Sequence, residues 1–388
     1  METLKFLMTS TFYPPYHLGG DAMHVKYLAE ELARNGHEVH VMHSVDAFRM
    51  KRGNMTADAN LVEGLVIHSL QSPQGIASIY GAYVFGRSRF HEREYERILH
   101  EVEPEVVHHH NISLLGHTLF RKRSNYKQIY TAHDYWLVCQ RNDLTRRGKL
   151  CDGRGCNVCV ISSGRPLQFW RHKFDISEVD TIIAPSSFMA EKLAGLKRPV
   201  NVLPNFTPFP PNVIVDLDEP GYFLYLGVLE PHKGVRELVK GFSLNDQRLV
   251  IAGTGSLSGY VKKEIASKKL SPKIHFIGWA EDKWAVMRGA CALILPSLWP
   301  ENSPLSVLEA MSVGTPTFCT DLGGTREIVE RVSPKLIIPM DTLAEYLREI
   351  KPPKLERNFV KSIYDSTYTP KKYITRYLAI AGGEIPST

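Results

Sequence analysis

The 388-residue chain predicts an α/β fold of two doubly wound, parallel-sheet domains. Three observations predict it. Short β-rich runs alternate with helical patterns through the first half. A second series of the same kind starts near Tyr222. A proline-rich stretch, 204–220, separates the two and reads as a stiff linker. The length suits two domains of ordinary size. The predicted boundaries are 1–207 for the first domain and 208–365 for the second, with a C-terminal helix, 366–388, completing the first.

In the first series Leu4–Thr9 reads as a buried strand. It runs into the turn Tyr13-Pro14-Pro15-Tyr16-His17-Leu18-Gly19-Gly20. From Asp21 to Asn35, Val25, Leu28, Ala29 and Leu32 recur at helical spacing, and Gly36 stops the helix. Further strands are expected at Val39–His43, Val106–His108, Ile129–Thr131, Thr181–Ala184 and Val200–Leu203. In the second series they are expected at Tyr222–Leu226, Leu249–Ala252, Ile274–Ile277, Ala292–Leu295 and Thr315–Cys319. Ser362 to Ala381 reads as one terminal helix. Domains of this class bind ligands outside the carboxyl ends of their strands, so the loops after the strands carry the functional search.

Composition excludes several classes. Hydrophobic residues make up 43% of the chain and the mean hydropathy is -0.19, as in a globular protein with two cores. No run approaches the ~20 apolar residues of a membrane span. Met1–Ser10 lacks the layout of a signal peptide, so a cytoplasmic location is expected. The net charge of +6 is uneven: between Arg121 and Lys173 twelve Lys or Arg face three acids, a local +9. Such a face suits an anionic membrane surface or a phosphate-bearing acceptor, and equally a solvated surface. With no recognition motif beside it, nucleic acid is not expected as a partner.

The most informative stretch runs from Leu295 to Met311. Ser303-Pro304 is a helix start, with Ser as N-cap and Pro first in the helix. Glu301 therefore precedes the helix and Glu309 lies about two turns along it. The amides around Ser303, Pro304 and Leu305 offer a positive dipole end to a diphosphate. Read alone, the two carboxylates could as well serve a helix dipole and the surface.

Glu301-x7-Glu309, followed by Gly314-Thr315-Pro316 and Gly323-Gly324-Thr325-Arg326-Glu327, resembles the signature of glycosyltransferase family four. The resemblance covers nearly the whole chain. It implies the GT-B fold, two Rossmann-like domains facing across a cleft, and a retaining hexosyl transfer without a catalytic metal. The donor would be a UDP- or GDP-sugar and the acceptor a glycan or lipid-linked molecule. A cytoplasmic enzyme, peripheral on the inner face of the membrane, would fit that role.

By the same resemblance Glu301 contacts the transferred sugar and Glu309 the ribose. Gly227-Val228-Leu229-Glu230-Pro231-His232-Lys233-Gly234 resembles the family's phosphate-binding turn, with Lys233 on the diphosphate. The family's Arg is Val228 here, so Lys233, helix amides and a cation such as Arg326 would carry that charge. Gly19-Gly20 resembles the glycine pair that lets backbone approach the donor. His133, in Ala132-His133-Asp134-Tyr135-Trp136, resembles the active-site histidine, and His108 and His110 share one strand face by alternation. Gly278-Trp279 would read the base, although a packed Trp279 is an equal reading.

Cys139, Cys151, Cys156 and Cys159 fall within 21 residues. In a cytoplasmic chain that spacing fits a structural zinc site, an iron–sulfur cluster, or free or oxidised thiols. Some family-four members carry a similar cysteine loop. Cys291 and Cys319 lie in expected strands and read as core. Two rival functions share the architecture: a nucleotide-sugar epimerase, and a retired transferase that binds nucleotide or glycan.

Overall fold

The computed structural model describes residues 3–51, 62–122, 125–146, 149–151, 153, 156–211 and 221–382. The chain divides into two compact units. One comprises Met1–Arg146, Cys151–Pro204 and Lys371–Thr388, and the other Arg147–Leu150 and Asn205–Pro370.

The first unit is built on a seven-stranded sheet. Its strands are β1 (Lys5–Thr9), β2 (Glu38–Ser44), β3 (Leu65–Leu70), β4 (Val106–His109) and β5 (Lys127–Thr131). β8 (Thr181–Ala184) and β9 (Val200–Val202) complete the sheet; the two-residue strands β6 (Thr145–Arg146), of this unit, and β7 (Lys149–Leu150), of the other, lie outside it. The order is β3-β2-β1-β4-β5-β8-β9, and every pairing is parallel. Phe6, Leu7 and Met8 are wholly buried because helices cover both sheet faces. The order reverses between β1 and β4, so the loops after these strands open the crevice of this unit.

Helices α1 (Gly20–Arg34), α2 (Val45–Met50), α3 (Ile76–Phe85), α4 (Arg89–Val102), α5 (Cys156–Ser162) and α6 (Ser187–Leu193) follow in the chain. The C-terminal helix α14 (Pro370–Gly382) also belongs here. It is fixed by Tyr373 and Tyr377, both buried, whose hydroxyls reach His24 and His108.

The second unit carries β10 (Tyr222–Leu226), β11 (Leu249–Ala252), β12 (Ile274–Gly278), β13 (Ala290–Leu295), β14 (Thr317–Thr320) and β15 (Ile337–Ile338). Their order is β12-β11-β10-β13-β14-β15, again all parallel, with the switch between β10 and β13. Its helices are α7 (Val235–Leu244), α8 (Ser258–Ser267), α9 (Lys283–Arg288), α10 (Leu305–Ser312), α11 (Thr325–Val329), α12 (Leu343–Glu349) and α13 (Arg357–Thr367).

Two expectations need correction, and one strand was not foreseen. The single terminal helix is two, α13 and α14, parted at Tyr368-Thr369, because Pro370 disfavours helical backbone at the residue before it. β3 escaped the sequence reading because His68 and Ser69 interrupt its apolar run. Helix α10 begins at Leu305 with Pro304 in the cap position. Ser303 does not cap it; its hydroxyl accepts the Asn205 amide at 3.1 Å. Of the proline-rich stretch, 212–220 lies outside the described residues.

Candidate functional site

In the second unit the loops after β10 and β13 meet at a charged pair. Lys233, in the turn before α7, donates from Nζ to Glu301 Oε1 at 2.7 Å. The Ser297 hydroxyl donates to the same oxygen. Burial pushes the Glu301 carboxyl up, but the Lys233 charge, its hydrogen bond and that of Ser297 outweigh it and hold the group below its ordinary value. The Lys233 ammonium also lies 5.2 Å from the Trp299 ring centroid.

Two glycines make this geometry fit. Gly234 has φ +71°, and a Cβ there would lie 1.9 Å from the Pro296 carbonyl oxygen. Gly323 has φ +67° and lies against the Glu301 backbone, with space for no side chain. The Gly324 amide then donates to the Glu301 carbonyl at 2.7 Å. The Gly-Gly-Thr run thus clamps the Glu301 backbone, a role its spacing did not disclose.

Glu309 is the fifth residue of α10, nearer its start than expected. It is buried, and Lys283 Nζ donates to its Oε1 at 2.6 Å. The sequence reading missed Lys283; on an isolated α9 nothing marks it, since the partner lies 26 residues away. Arg326 pairs with Asp321 at 2.7 Å and with Glu330 at 3.4 Å. Gly278 ends β12 with φ +69°. Trp279 is 67% exposed and Val228, in the place of the family's Arg, 43% exposed. The core reading of Trp279 is thereby corrected: its ring faces solvent. Cys319 is buried and Cys291 packs against the core.

In the first unit the strand ends assemble buried histidines. The His108 and His110 rings lie 3.9 Å apart between centroids, as alternation along β4 requires. His110 Nδ1 is 2.9 Å from His133 Nε2, and His24 of α1 packs edge-on to His133 at 5.2 Å. His108 is satisfied on both nitrogens, by Thr131 Oγ1 at 2.8 Å and the Tyr377 hydroxyl at 2.9 Å.

Burial holds all four rings neutral. It lowers His24, His108 and His110 far below their ordinary value, helped by repulsion from neighbouring imidazoles, and His133 to about 3. His110 Nε2 is buried and meets no partner among the described residues. A proton there would bury an orphan donor, costing ~1–3 kcal/mol. The His110 tautomer with its proton on Nδ1 avoids that orphan donor and donates to His133 Nε2.

Around the histidines stand two carboxyls. Asp21, just inside α1, accepts from Asn111 Nδ2 at 3.1 Å, and burial raises it. Asp134 accepts the Trp136 amide at 2.9 Å, and burial raises it to about 7. Gly19 (φ +82°) and Gly20 are exposed at the start of α1.

The cysteine segment folds back on itself. Gln140 Nε2 donates to Asn157 Oδ1 at 3.0 Å, Arg141 reaches Cys159 Sγ at 3.8 Å, and the Gly153 amide donates to Cys151 Sγ at 3.3 Å. Burial, then the thiols of Cys151, Cys139 and Cys159, push the Cys156 thiol up. Among the described residues, however, no group of three or more His, Cys, Asp or Glu is arranged to hold a metal ion. Of the basic segment, Arg123, Arg147 and Arg154 lie outside the described residues. No described helix is long and apolar enough to cross a membrane.

Comparison with known proteins follows the same division. Residues 18–208 match the family model described as Glycosyltransferase Family 4, and residues 212–364 that of Glycosyl transferases group 1. An uncharacterized 42.6 kDa protein in the cps region of Klebsiella pneumoniae is 24% identical, over 96% of this chain and all of its own length. The lipopolysaccharide 1,6-galactosyltransferase of Salmonella typhimurium is 30% identical over 36% of this chain and 40% of its own. Among solved structures, Anabaena HepE in complex with UDP-glucose superposes with a TM-score of 0.65 at 13% identity, covering 98% of this chain and all of that one.

Proposed function

The chain belongs to glycosyltransferase family four and has the GT-B fold, and from that premise we propose that it is a retaining hexosyltransferase. It takes the sugar from a nucleoside-diphosphate sugar and places it on a glycan or lipid-linked acceptor. The observation that carries this reading is the buried Lys233–Glu301 pair at the switch point of the second unit. A nucleotide-sugar donor is supported by the likeness to HepE, whose structure holds UDP-glucose. A lipid-linked acceptor is supported by the likeness to the lipopolysaccharide galactosyltransferase.

In the proposed reaction the bond from the anomeric carbon to the diphosphate oxygen breaks, and the electron pair leaves with the diphosphate. Lys233 and the amides opening α10 stabilise that charge. Glu301, ionised, stands beside the sugar while it carries oxocarbenium character. The acceptor hydroxyl bonds to the same face, and its proton passes to the departing diphosphate. Glu309 holds the ribose, and Gly278 and the exposed Trp279 the base.

The test is thermal stabilisation by UDP, GDP and ADP, with and without Lys233→Ala. Ligand at about 100 times its dissociation constant adds about 2.7 kcal/mol. A shift with one nucleotide that disappears in the variant supports the reading. No shift with any nucleotide turns the account toward a retired binder, with Val228 as the reason.

For the cysteine segment we propose a structural zinc site, supported by the spacing of Cys139, Cys151, Cys156 and Cys159 and by the hydrogen bonds that fold the segment back on itself. One equivalent of zinc per chain, lost with Cys156→Ser, is the expected result of elemental analysis. A metal-free chain of unchanged melting temperature would refute it.

A further inference from the structure

Three consecutive histidines, His108, His109 and His110, close β4 and begin the turn after it, and all are wholly buried. Burying an imidazole costs free energy unless its nitrogens find partners, so each ring is expected to serve one. His109 points to the opposite sheet face, where its Nδ1 lies 2.7 Å from Thr9 Oγ1. His108 is held at both nitrogens by Thr131 and Tyr377, and Tyr377 is itself buried on α14. His110 differs from both, because its one side-chain hydrogen bond among the described residues goes to another histidine.

The packing around His110 favours that contact. Its ring lies against the pinned His108 ring, with centroids 3.9 Å apart, and His24 stands edge-on at 6.3 Å. Nδ1 then lies 2.9 Å from His133 Nε2, with the two ring planes inclined by 18°. A ring turned over at His110 would put carbon where Nδ1 stands and lose the bond. His110 Nε2 is sealed from water without a partner among the described residues, so a proton on Nδ1 avoids an orphan donor there. His110 is then the donor and His133 Nε2 the acceptor.

His133 lies in the loop after β5, the strand beside β4, and unlike His110 it is only half-buried. A neutral imidazole has one N–H and one lone pair on its two nitrogens. With the lone pair engaged at Nε2, the N–H of His133 is at Nδ1. Every one of these groups lies in the first unit.

We propose that His110 is the positioning residue of His133: it fixes the ring and commits Nε2 as an acceptor, so that His133 meets a hydroxyl oxygen as a donor, from Nδ1. Without His110 the His133 proton can sit on either nitrogen and the ring can turn. Misplacing a group at a reacting centre by about 1 Å costs up to about 10²-fold in rate. That the hydroxyl belongs to the sugar or to its acceptor rests on the transferase reading; the tautomer of His133 does not.

Two measurements test this. The first needs no substrate: NMR of the full chain, labelled at histidine with the heavy nitrogen isotope, reads which nitrogen of each ring carries the proton. The signal lost in His133→Gln identifies that ring. A His133 proton on Nδ1 is expected, and one on Nε2 in the unaltered chain overturns the proposal. The second is turnover with the donor whose nucleotide stabilises the protein. His110→Asn sets an amide N–H near the place of Nδ1, and His110→Gln sets one near that of Nε2. The Asn variant should keep kcat within a few-fold. His110→Gln and His110→Leu should lower it roughly 10–100-fold, with the melting temperature and its shift by nucleotide kept. Equal kcat in the Asn and Leu variants overturns the proposal, because shape and not the N–H would then matter. An unaltered chain that turns over no donor, yet carries the His133 proton on Nδ1, ends the transferase reading and leaves the role of His110 standing.

Discussion

The two units take polar side chains out of water and treat them in opposite ways. In the first, the His24, His108 and His110 rings are buried, and the His133 ring and the Asp21 and Asp134 carboxyls are half-buried: burial neutralises the rings and raises Asp134 to about 7. In the second, Glu301 is buried, yet it stays below its ordinary value because an ammonium stands 2.7 Å away. Burial alone selects the neutral form; burial with a fixed partner keeps the charge. The first unit is thereby suited to neutral hydrogen bonding with hydroxyl groups, and the second to the charge that builds on a leaving diphosphate.

The largest expected effect breaks the second region. Lys233→Ala leaves Glu301 buried without its cation and should cost ~3–5 kcal/mol in a denaturant titration. Adding Glu301→Gln should recover much of that loss, because the uncompensated charge is gone. A double variant no more stable than the single one would mean that Lys233 acts through packing.

The next effect sharpens the first region. His43 and His91 are held at about 4 and His133 at about 3, all below the ordinary value of an unfolded chain. The unfolded state therefore binds more protons between pH 6.5 and 4, and stability falls as pH falls through that window. From pH 7 to 5 each of these rings should cost about 2 kcal/mol. Asp134 opposes this, since its raised value favours folding as pH falls from 7 toward 4. Asp134→Asn should therefore steepen the acid loss, measured by melting temperature across pH. An unchanged slope would show that Asp134 is ionised in the folded protein.

The smallest effect concerns the departure at Val228. Its side chain is exposed beside the Lys233 turn, so Val228→Arg should be tolerated. A second cation there should tighten nucleoside-diphosphate binding about tenfold, ~1.4 kcal/mol, as read by calorimetry. Weaker binding would mean that this turn takes the phosphates in another way.

Much of the fold was legible because parallel strands buried on both faces are written as continuous apolar runs. β8, β10 and β11 coincide with their expected spans. β3 was not, since an edge strand carrying His68 and Ser69 lacks such a run. For the site, motif spacing led to Glu301, Lys233 and His133, and the structure joins the first two directly and sets His133 on His110. Lys283, Ser297 and Tyr377 were invisible, because each acts through a partner brought by tertiary folding: Tyr377 meets His108 across 269 positions. The exposure of Ile76, Tyr80 and Phe85 on α3 was hidden too, since an apolar run reads as core.

Turnover by Glu301→Gln tests the account most directly, measured with the donor whose nucleotide stabilises the protein. The substitution keeps shape and removes charge. The account predicts nucleotide binding within a few-fold of the unaltered chain and a loss of turnover of about 10³-fold or more, the scale of a lost electrostatic group at a reacting centre. Turnover within tenfold of the unaltered chain would contradict it.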